Sequence, residues 1–352
     1  MTFTVFAALA ALQVGQGVPQ YELVAERRYG SSDGPLSFSS VGDIALSGGT
    51  LFVTQPDVGE VAIISLADGT LIRSTRSGEG PGEFRTPTAT GLRGDTIWVQ
   101  DWKLGRIGLF NRQGRFLSAI PFPNRHNVLG MTADGAILAH ADPQDLRPGL
   151  VALTRFSRTG SRTDTLLRVE QSRPRMLEAN APNGPSIRFL NPFAQAPLAR
   201  MDADGVGSVV VTMDGPPGRE IEVTRLLHGQ RSTVGVRYPS RKVTKEEADR
   251  VTKGFPPPLR TPDAIRRMNF PSAWIDINRM LVARNGDVWL GAADRGEPIR
   301  WTVVNRSGQI TGTVQSPAGG FLYRVVGNEV WGSELDDEDV PYVVKYSLKR
   351  KT

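Results

Sequence analysis

The chain has 352 residues, 39% hydrophobic and 22% charged, with a net charge of +6, 38 glycines, 25 prolines and no cysteine. Enough apolar residue is present for a folded core, so the composition excludes a disordered chain, and the absence of cysteine excludes disulfides, thiol nucleophiles and thiolate metal sites. The high Gly and Pro content and the scarcity of helix-favouring runs point to a turn-rich all-β protein.

Residues 1–17 open with an apolar run from Phe3 to Leu12. It is shorter than the ~20 residues a membrane span needs. It reads as the h-region of a secretory signal, with small residues around Val14–Gly17 as a cleavage zone, although no Lys or Arg precedes it. The alternatives are a retained apolar anchor at the membrane interface and an apolar segment packed on the domain. Residues 18–352 read as a single domain. Tyr21–Arg28 alternates weakly, as a strand does.

Past Ser40, one phrase recurs: a short strand, a Gly or Asp-Gly turn, a strand with an aromatic or β-branched centre, a polar loop, then another strand. The first copy spans Ile44–Thr54 and Val61–Leu66. The second is the clearest, with strands predicted at Thr88–Leu92, Thr96–Gln100 and Arg106–Asn111 and another starting at Arg115. The third runs through Ala136–Ala139 and Leu150–Phe156. The fourth covers Ala199–Met201, Ser208–Thr212 and Glu220–Leu226. The fifth covers Asn278–Val282, Asp287–Leu290 and Trp301–Asn305. The sixth covers Phe321–Val325, Glu329–Gly332 and Tyr342–Ser347.

The centres of the second strands are Phe52, Trp98, Ile137, Val209, Trp289 and Trp331, separated by 46, 39, 72, 80 and 42 residues. Three spacings fit a radial β unit of about 40–45 residues. The two long ones require insertions. Glu170–Pro197 lacks periodicity and reads as a long loop. Lys242–Ser272 is the other insertion; inside it Thr244 and Glu247 form a capping box that predicts a short helix over Lys245–Lys253, ending before Phe255–Pro256–Pro257–Pro258. Repetition of a four-stranded unit predicts a six-bladed β-propeller with two long loop insertions. Tyr21–Arg28 is the strand expected to complete the unit ending near Lys349.

Two stretches carry a family resemblance. Ile97–Trp98–Val99–Gln100–Asp101, followed by Arg106–Ile107–Gly108–Leu109–Phe110 and Gly114, resembles an NHL-type repeat. Gly78–Glu79–Gly80–Pro81–Gly82–Glu83–Phe84 resembles the GxGPGEF loop of the bacterial six-bladed β-propeller proteins, which are mostly exported. The resemblance covers about residues 40–349. The third and fourth copies lack the Asp after the second strand and the Arg before the third, so five and seven blades stay open as alternatives.

Physically, Gly78, Gly80 and Gly82 permit positive φ in this loop, Pro81 fixes φ, and Phe84 can plug the gap between neighbouring units. Asp101 can accept turn amides and pair with Arg106. Glu79, Glu83 and Arg85 are the candidate binding residues, at the mouth of a central channel.

No catalytic motif is present. His126, His140 and His228 fall in separate segments, and the chain has no HExxH, GxSxG or P-loop pattern. The acidic run Glu334–Asp339 lacks the alternating ligands and central Gly of an EF-hand and reads as a solvated loop. Propellers that act as metal-dependent lactonases or lyases use inner-strand Glu, Asn and Asp; Asp202, Asp276 and Asn278 are the weak candidates for such a set. The basic residues are scattered, without the aromatic interleaving of a nucleic-acid surface. The expected function is therefore a non-catalytic, periplasmic or extracytoplasmic propeller without a cofactor. Its expected partner is a protein, in one case a membrane-embedded complex such as an electron-transfer or photosynthetic assembly. Membrane contact would come through the N-terminal segment, and no nucleic acid is expected.

Overall fold

The structure is a computed structural model that describes residues 17–31, 34, 36–124, 126–141, 150–170, 176–180, 186–190, 197–201, 207–213, 220–227, 230–240, 243–255, 260, 275–292 and 298–351. Strands dominate it, with one helix.

The N-terminal strand β1 spans Gln20–Tyr29. Then β2 (Ile44–Ser47), β3 (Thr50–Gln55), β4 (Glu60–Ser65) and β5 (Leu71–Ser74) form a four-stranded antiparallel sheet in chain order. A second such sheet contains β6 (Pro87–Arg93), β7 (Thr96–Asp101), β8 (Arg106–Phe110) and β9 (Phe116–Pro121). A third contains β10 (His126–Met131), β11 (Ile137–Ala141), β12 (Leu150–Phe156) and β13 (Arg162–Glu170).

The Glu170–Pro197 insertion is not all loop. β14 (Met176–Asn180) and β15 (Ser186–Leu190) pair as an antiparallel hairpin of their own. Its signal is local: apolar residues flank Pro182–Asn183–Gly184, and Asn-Gly is a strong hairpin dipeptide.

The fourth four-stranded sheet holds β16 (Leu198–Met201), β17 (Gly207–Thr212), β18 (Ile221–Leu227) and β19 (Gln230–Val236). Helix α1 follows at Lys245–Lys253. Thr244 caps it, its hydroxyl accepting from the Glu247 amide at 3.1 Å. Glu246 and Glu247 lie in its first turn and Arg250 and Lys253 in its last, each sign at the favourable end of the helix dipole.

The remaining strands are β20 (Arg279–Val282), β21 (Val288–Ala292), β22 (Arg300–Val304), β23 (Ile310–Gln315), β24 (Phe321–Val326), β25 (Glu329–Leu335) and β26 (Pro341–Arg350). They join β1 in one eight-stranded sheet, ordered β20-β21-β22-β23-β1-β26-β25-β24. β1 runs antiparallel along β26 from Tyr21 opposite Arg350 to Tyr29 opposite Val343. Its contact with β23 is parallel and brief, Gln20 with Thr313 and Tyr21 with Val314. The N-terminal strand thus completes the sheet begun by the C-terminal strands.

The core lies between neighbouring sheets. Ala45, Phe52 and Ile63 of the first sheet pack with Phe84, Ile97, Val99 and Phe110 beside and within the second. Trp98 and Ile107 pack with Met131 and Ile137 of the third. Leu153 and Leu167 meet Ala199 and Val210 of the fourth. Val209 and Val223 meet Val288 and Leu290. The two halves of the eight-stranded sheet fold onto each other through Trp289, Trp301, Val330, Val344 and Tyr346. Finally Trp331 and Val343 pack on Tyr29, Phe38, Ile44 and Leu51, which returns the end of the chain to its beginning.

The outermost strands carry little apolar signal because they face solvent; β5 and most of β19 are exposed. This is why the periodic phrase predicted three strands per copy more sharply than the fourth.

Trp331 is 2% exposed and its ring lies 5.8 Å from that of Tyr29. Trp331→Ala should therefore cost about 4 kcal/mol. Urea denaturation should show it as a lower midpoint with an unchanged slope.

Candidate functional site

The innermost strand of each four-stranded run stands beside that of the next: β2 by β6, β6 by β10, β10 by β16, β16 by β20 and β20 by β24. The return from β24 to β2 is made by side chains. The Tyr323 hydroxyl donates to the Val41 carbonyl at 2.8 Å. Arg324 reaches Asp43 with both terminal nitrogens, at 3.0 and 3.1 Å. The same guanidinium donates to the carbonyls of Thr90 and Tyr323, each at 2.8 Å.

Asp43 is held by three hydrogen bonds and an ion pair in this network. Oδ1 accepts from the Ile44 amide and pairs with Arg324; Oδ2 accepts from the Thr90 amide and from Arg324. One carboxylate therefore joins the innermost strands of the first, second and last runs.

Two more arginines share this centre. Arg279 begins β20, and its guanidinium lies 4.5 Å from the centroid of the Phe321 ring. Arg200 sits in β16 and is solvent-exposed. Loss of hydration nevertheless pulls its guanidinium below the ordinary arginine range; Asp43 opposes this, and Arg324 and Arg279 reinforce it. β16 is not a neighbour of β2, so the field of Asp43 reaches Arg200 across the centre of the ring. Arg279 is also shifted down, first by lost hydration. Tyr323 is shifted up, chiefly by burial. Among the described residues, neither Arg200 nor Arg279 has a hydrogen bond or ion pair to a carboxylate.

The glycine-rich loop lies elsewhere. Arg106, at the start of β8, donates to the carbonyls of Glu79, Gly80 and Glu83 at 2.9, 2.9 and 2.7 Å. Gly82 has φ +77°, and a Cβ there would lie 3.2 Å from Phe116 of β9. Gly78 and Gly80 do not need positive φ. They make room for the Glu83 carboxylate, which would come within 2.0 Å of a Cβ at Gly78 and which accepts the Gly80 amide.

Glu79 pairs with Arg85 at 3.5 Å in an exposed bridge. This loop contacts Arg106 of β8, Phe116 of β9 and Asp101.

Phe84 is buried between the first and second sheets, the position its plugging role requires. Asp101 and Arg106 stand opposite each other in the β7–β8 ladder, but their side chains do not pair. Buried Asp101 accepts the amides of Arg85, Thr86 and Leu104 instead. Each group serves more turn atoms separately than a mutual ion pair would allow.

Of the oxygen donors considered for a metal, Asp202 lies outside the described residues, as does His228. Asn278 is exposed just before β20, and the charge of half-buried Asp276 is felt by Tyr238. Among the described residues no group of three or more His, Asp or Glu is placed to hold a metal. The His126 ring packs edge-on against Phe122 and Phe156.

The acidic run is structured. Glu334 accepts the hydroxyls of Tyr342 and Tyr346. Asp336 accepts the amides of Glu338 and Val340. Burial and the Glu334 carboxylate push Tyr342 up to about 12 and Tyr346 higher still.

No family model matches this sequence. No curated protein matches it either. Solved structures do. A member of the DUF4221 family from Bacteroides vulgatus superposes with a TM-score of 0.59 at 11% identity, covering 95% of this chain and 99% of its own. A protein from Bacteroides fragilis described as exported superposes with a TM-score of 0.54 at 11% identity, covering 94% and 96%. The fold is all-β and propeller-like. At this identity the likeness speaks to the fold alone. Among the described residues, no helix is long and apolar enough to cross a membrane.

Two outcomes follow from the loop and the tyrosines. Arg106→Ala should destabilise the fold by about 2 kcal/mol, because three loop carbonyls lose a charged donor; chemical denaturation reads it. Tyr342 holds its proton more tightly when folded than the ~10 of a free tyrosine, so the folded state binds more protons above pH 10 and stability should fall as the pH climbs through 12. Melting curves between pH 8 and 12 should show this fall, and Tyr342→Phe should flatten it.

Proposed function

We propose that the chain is a six-bladed, extracytoplasmic propeller that works as a non-catalytic binding module, docked on a protein partner in a membrane-associated assembly. The blade count rests on reading the eight-stranded sheet as two blades bridged by the short β1–β23 contact. The innermost strands then stand three neighbour steps apart, either way round, between β2 and β16. Export rests on the apolar run Phe3–Leu12, on the cysteine-free composition and on the likeness to a protein described as exported.

One observation carries the preference for binding over hydrolysis. Among the described residues, Arg200, Arg279 and Arg324 gather around one carboxylate, Asp43, which Arg324, Ile44 and Thr90 already engage. A hydrolase of the metal-dependent propeller type needs the opposite electrostatics, several oxygen donors around a cation. A guanidinium cluster repels a divalent ion.

For the docking face, exposed apolar side chains on the outermost strands support a rim contact: Leu71 and Ile72 on β5 and Leu117 on β9. Isolating the protein from gently solubilised membranes of its native cells tests the reading. Recovery in fixed stoichiometry with an integral-membrane assembly, lost in a Leu71→Asp, Ile72→Asp variant, is the expected result. Recovery as a free soluble monomer whose N-terminus lies near residue 18 would contradict docking.

A further inference from the structure

We propose that the centre of the ring is a binding site for a small, multiply charged oxyanion, a carboxylate- or phosphate-bearing molecule, held by Arg200 and Arg279 with Arg324 behind them. The site does not depend on whether the disc docks on a protein.

The argument begins with what the arginines lack. Arg324 donates to Asp43 and to the carbonyls of Thr90 and Tyr323, and pairs with Asp43 a second time at 3.0 Å. Asp43 is engaged in turn by Arg324, Ile44 and Thr90. It holds Arg324 in place. The described side chains thus place three guanidiniums near one carboxylate. Among the described residues none accepts a hydrogen bond from exposed Arg200, and Arg279 faces an aromatic ring rather than an acid.

Arginine stays charged under all ordinary conditions, so deprotonation cannot relieve the repulsion. An anion can. A guanidinium presents a planar fork of donors that fits two oxygens of a carboxylate or phosphate at once.

Position in the repeat supports a built site. Arg200 stands opposite Val209 and Arg324 opposite Trp331, the centres of their second strands, so the two occupy the same place in their units. The corresponding residues elsewhere are Ala45, Gly91, Met131 and Leu281. The large cationic side chains therefore stand in two units and small or apolar ones in the other four. Phe321, 40% exposed beside Arg279, offers a flat apolar wall for the carbon skeleton of an organic acid.

Calorimetric titration of the full chain with citrate and, separately, with pyrophosphate, at ionic strength matched by chloride, tests this. One-site saturation by either anion is expected; citrate alone would mark a carboxylate ligand and pyrophosphate alone a phosphorylated one. Arg200→Gln and Arg279→Gln should each weaken binding at least tenfold while leaving the unliganded melting temperature within about two degrees, since neither side chain anchors the fold. The proposal is overturned if neither anion binds beyond the chloride control, or if both variants bind as the parent does.

Discussion

The contact between Asp43 and Arg324 spans 281 residues and closes the molecule. Radial sheets are built strand by strand along the chain, so every neighbouring pair is local in sequence except the last with the first. That junction has three parts. β1 adds to β26 by backbone bonds, Trp331 and Val343 pack on residues 29–53, and Arg324 locks the innermost strands of the first, second and last runs around one carboxylate. The backbone bonds supply continuity and the apolar cluster supplies most of the free energy. The ion pair is half-buried, where solvent and desolvation nearly cancel the Coulombic gain, so its contribution is orientation more than stability.

That constraint also decides what the centre can do. By engaging Asp43, the closing contact ties up the carboxylate nearest Arg200 among the described residues, and three guanidiniums share it. A structural requirement at one side of the ring thus prepares a chemical property at its middle. The glycine-rich loop, by contrast, is a local solution to a local problem. It turns the chain from β5 to β6, Arg106 gathers its carbonyls, and Glu83 folds back over Gly78 and Gly80.

Much of the architecture was legible from the repeat alone. Second and third strands sit between two sheets, so they read as apolar runs such as Leu51–Thr54 or Ile97–Val99, and turns such as Asp134–Gly135 mark their ends. The Thr244–Glu247 box located α1, because capping is a contact between near neighbours. Outermost strands were faint, since a solvated strand has no pattern to impose. The hairpin of β14 and β15 is hidden because its stretch is rich in Pro, Asn, Ala and Arg and shows no periodicity, which leaves the Asn183–Gly184 dipeptide as its one sequence signal. The site was far less legible. Its arginines come singly from three distant copies, at positions 200, 279 and 324, and no short motif unites them. The usable signal was the shared register of Arg200 and Arg324 opposite the second-strand centres, which only an alignment of the repeats brings out. The loop of residues 78–84 drew attention because its glycines form a dense string, but density of glycine reports backbone constraint before it reports ligand.

The central claim is that one ion pair, joining the two ends of the chain, closes the ring around an arginine-lined centre. A double-mutant cycle on Asp43→Asn and Arg324→Gln, read by chemical denaturation, tests it most directly. The account predicts that the two substitutions are coupled by about 1–2 kcal/mol, the double variant being more stable than the sum of the single losses implies, because either change alone strands the other group. Strict additivity, within about 0.3 kcal/mol, would contradict it.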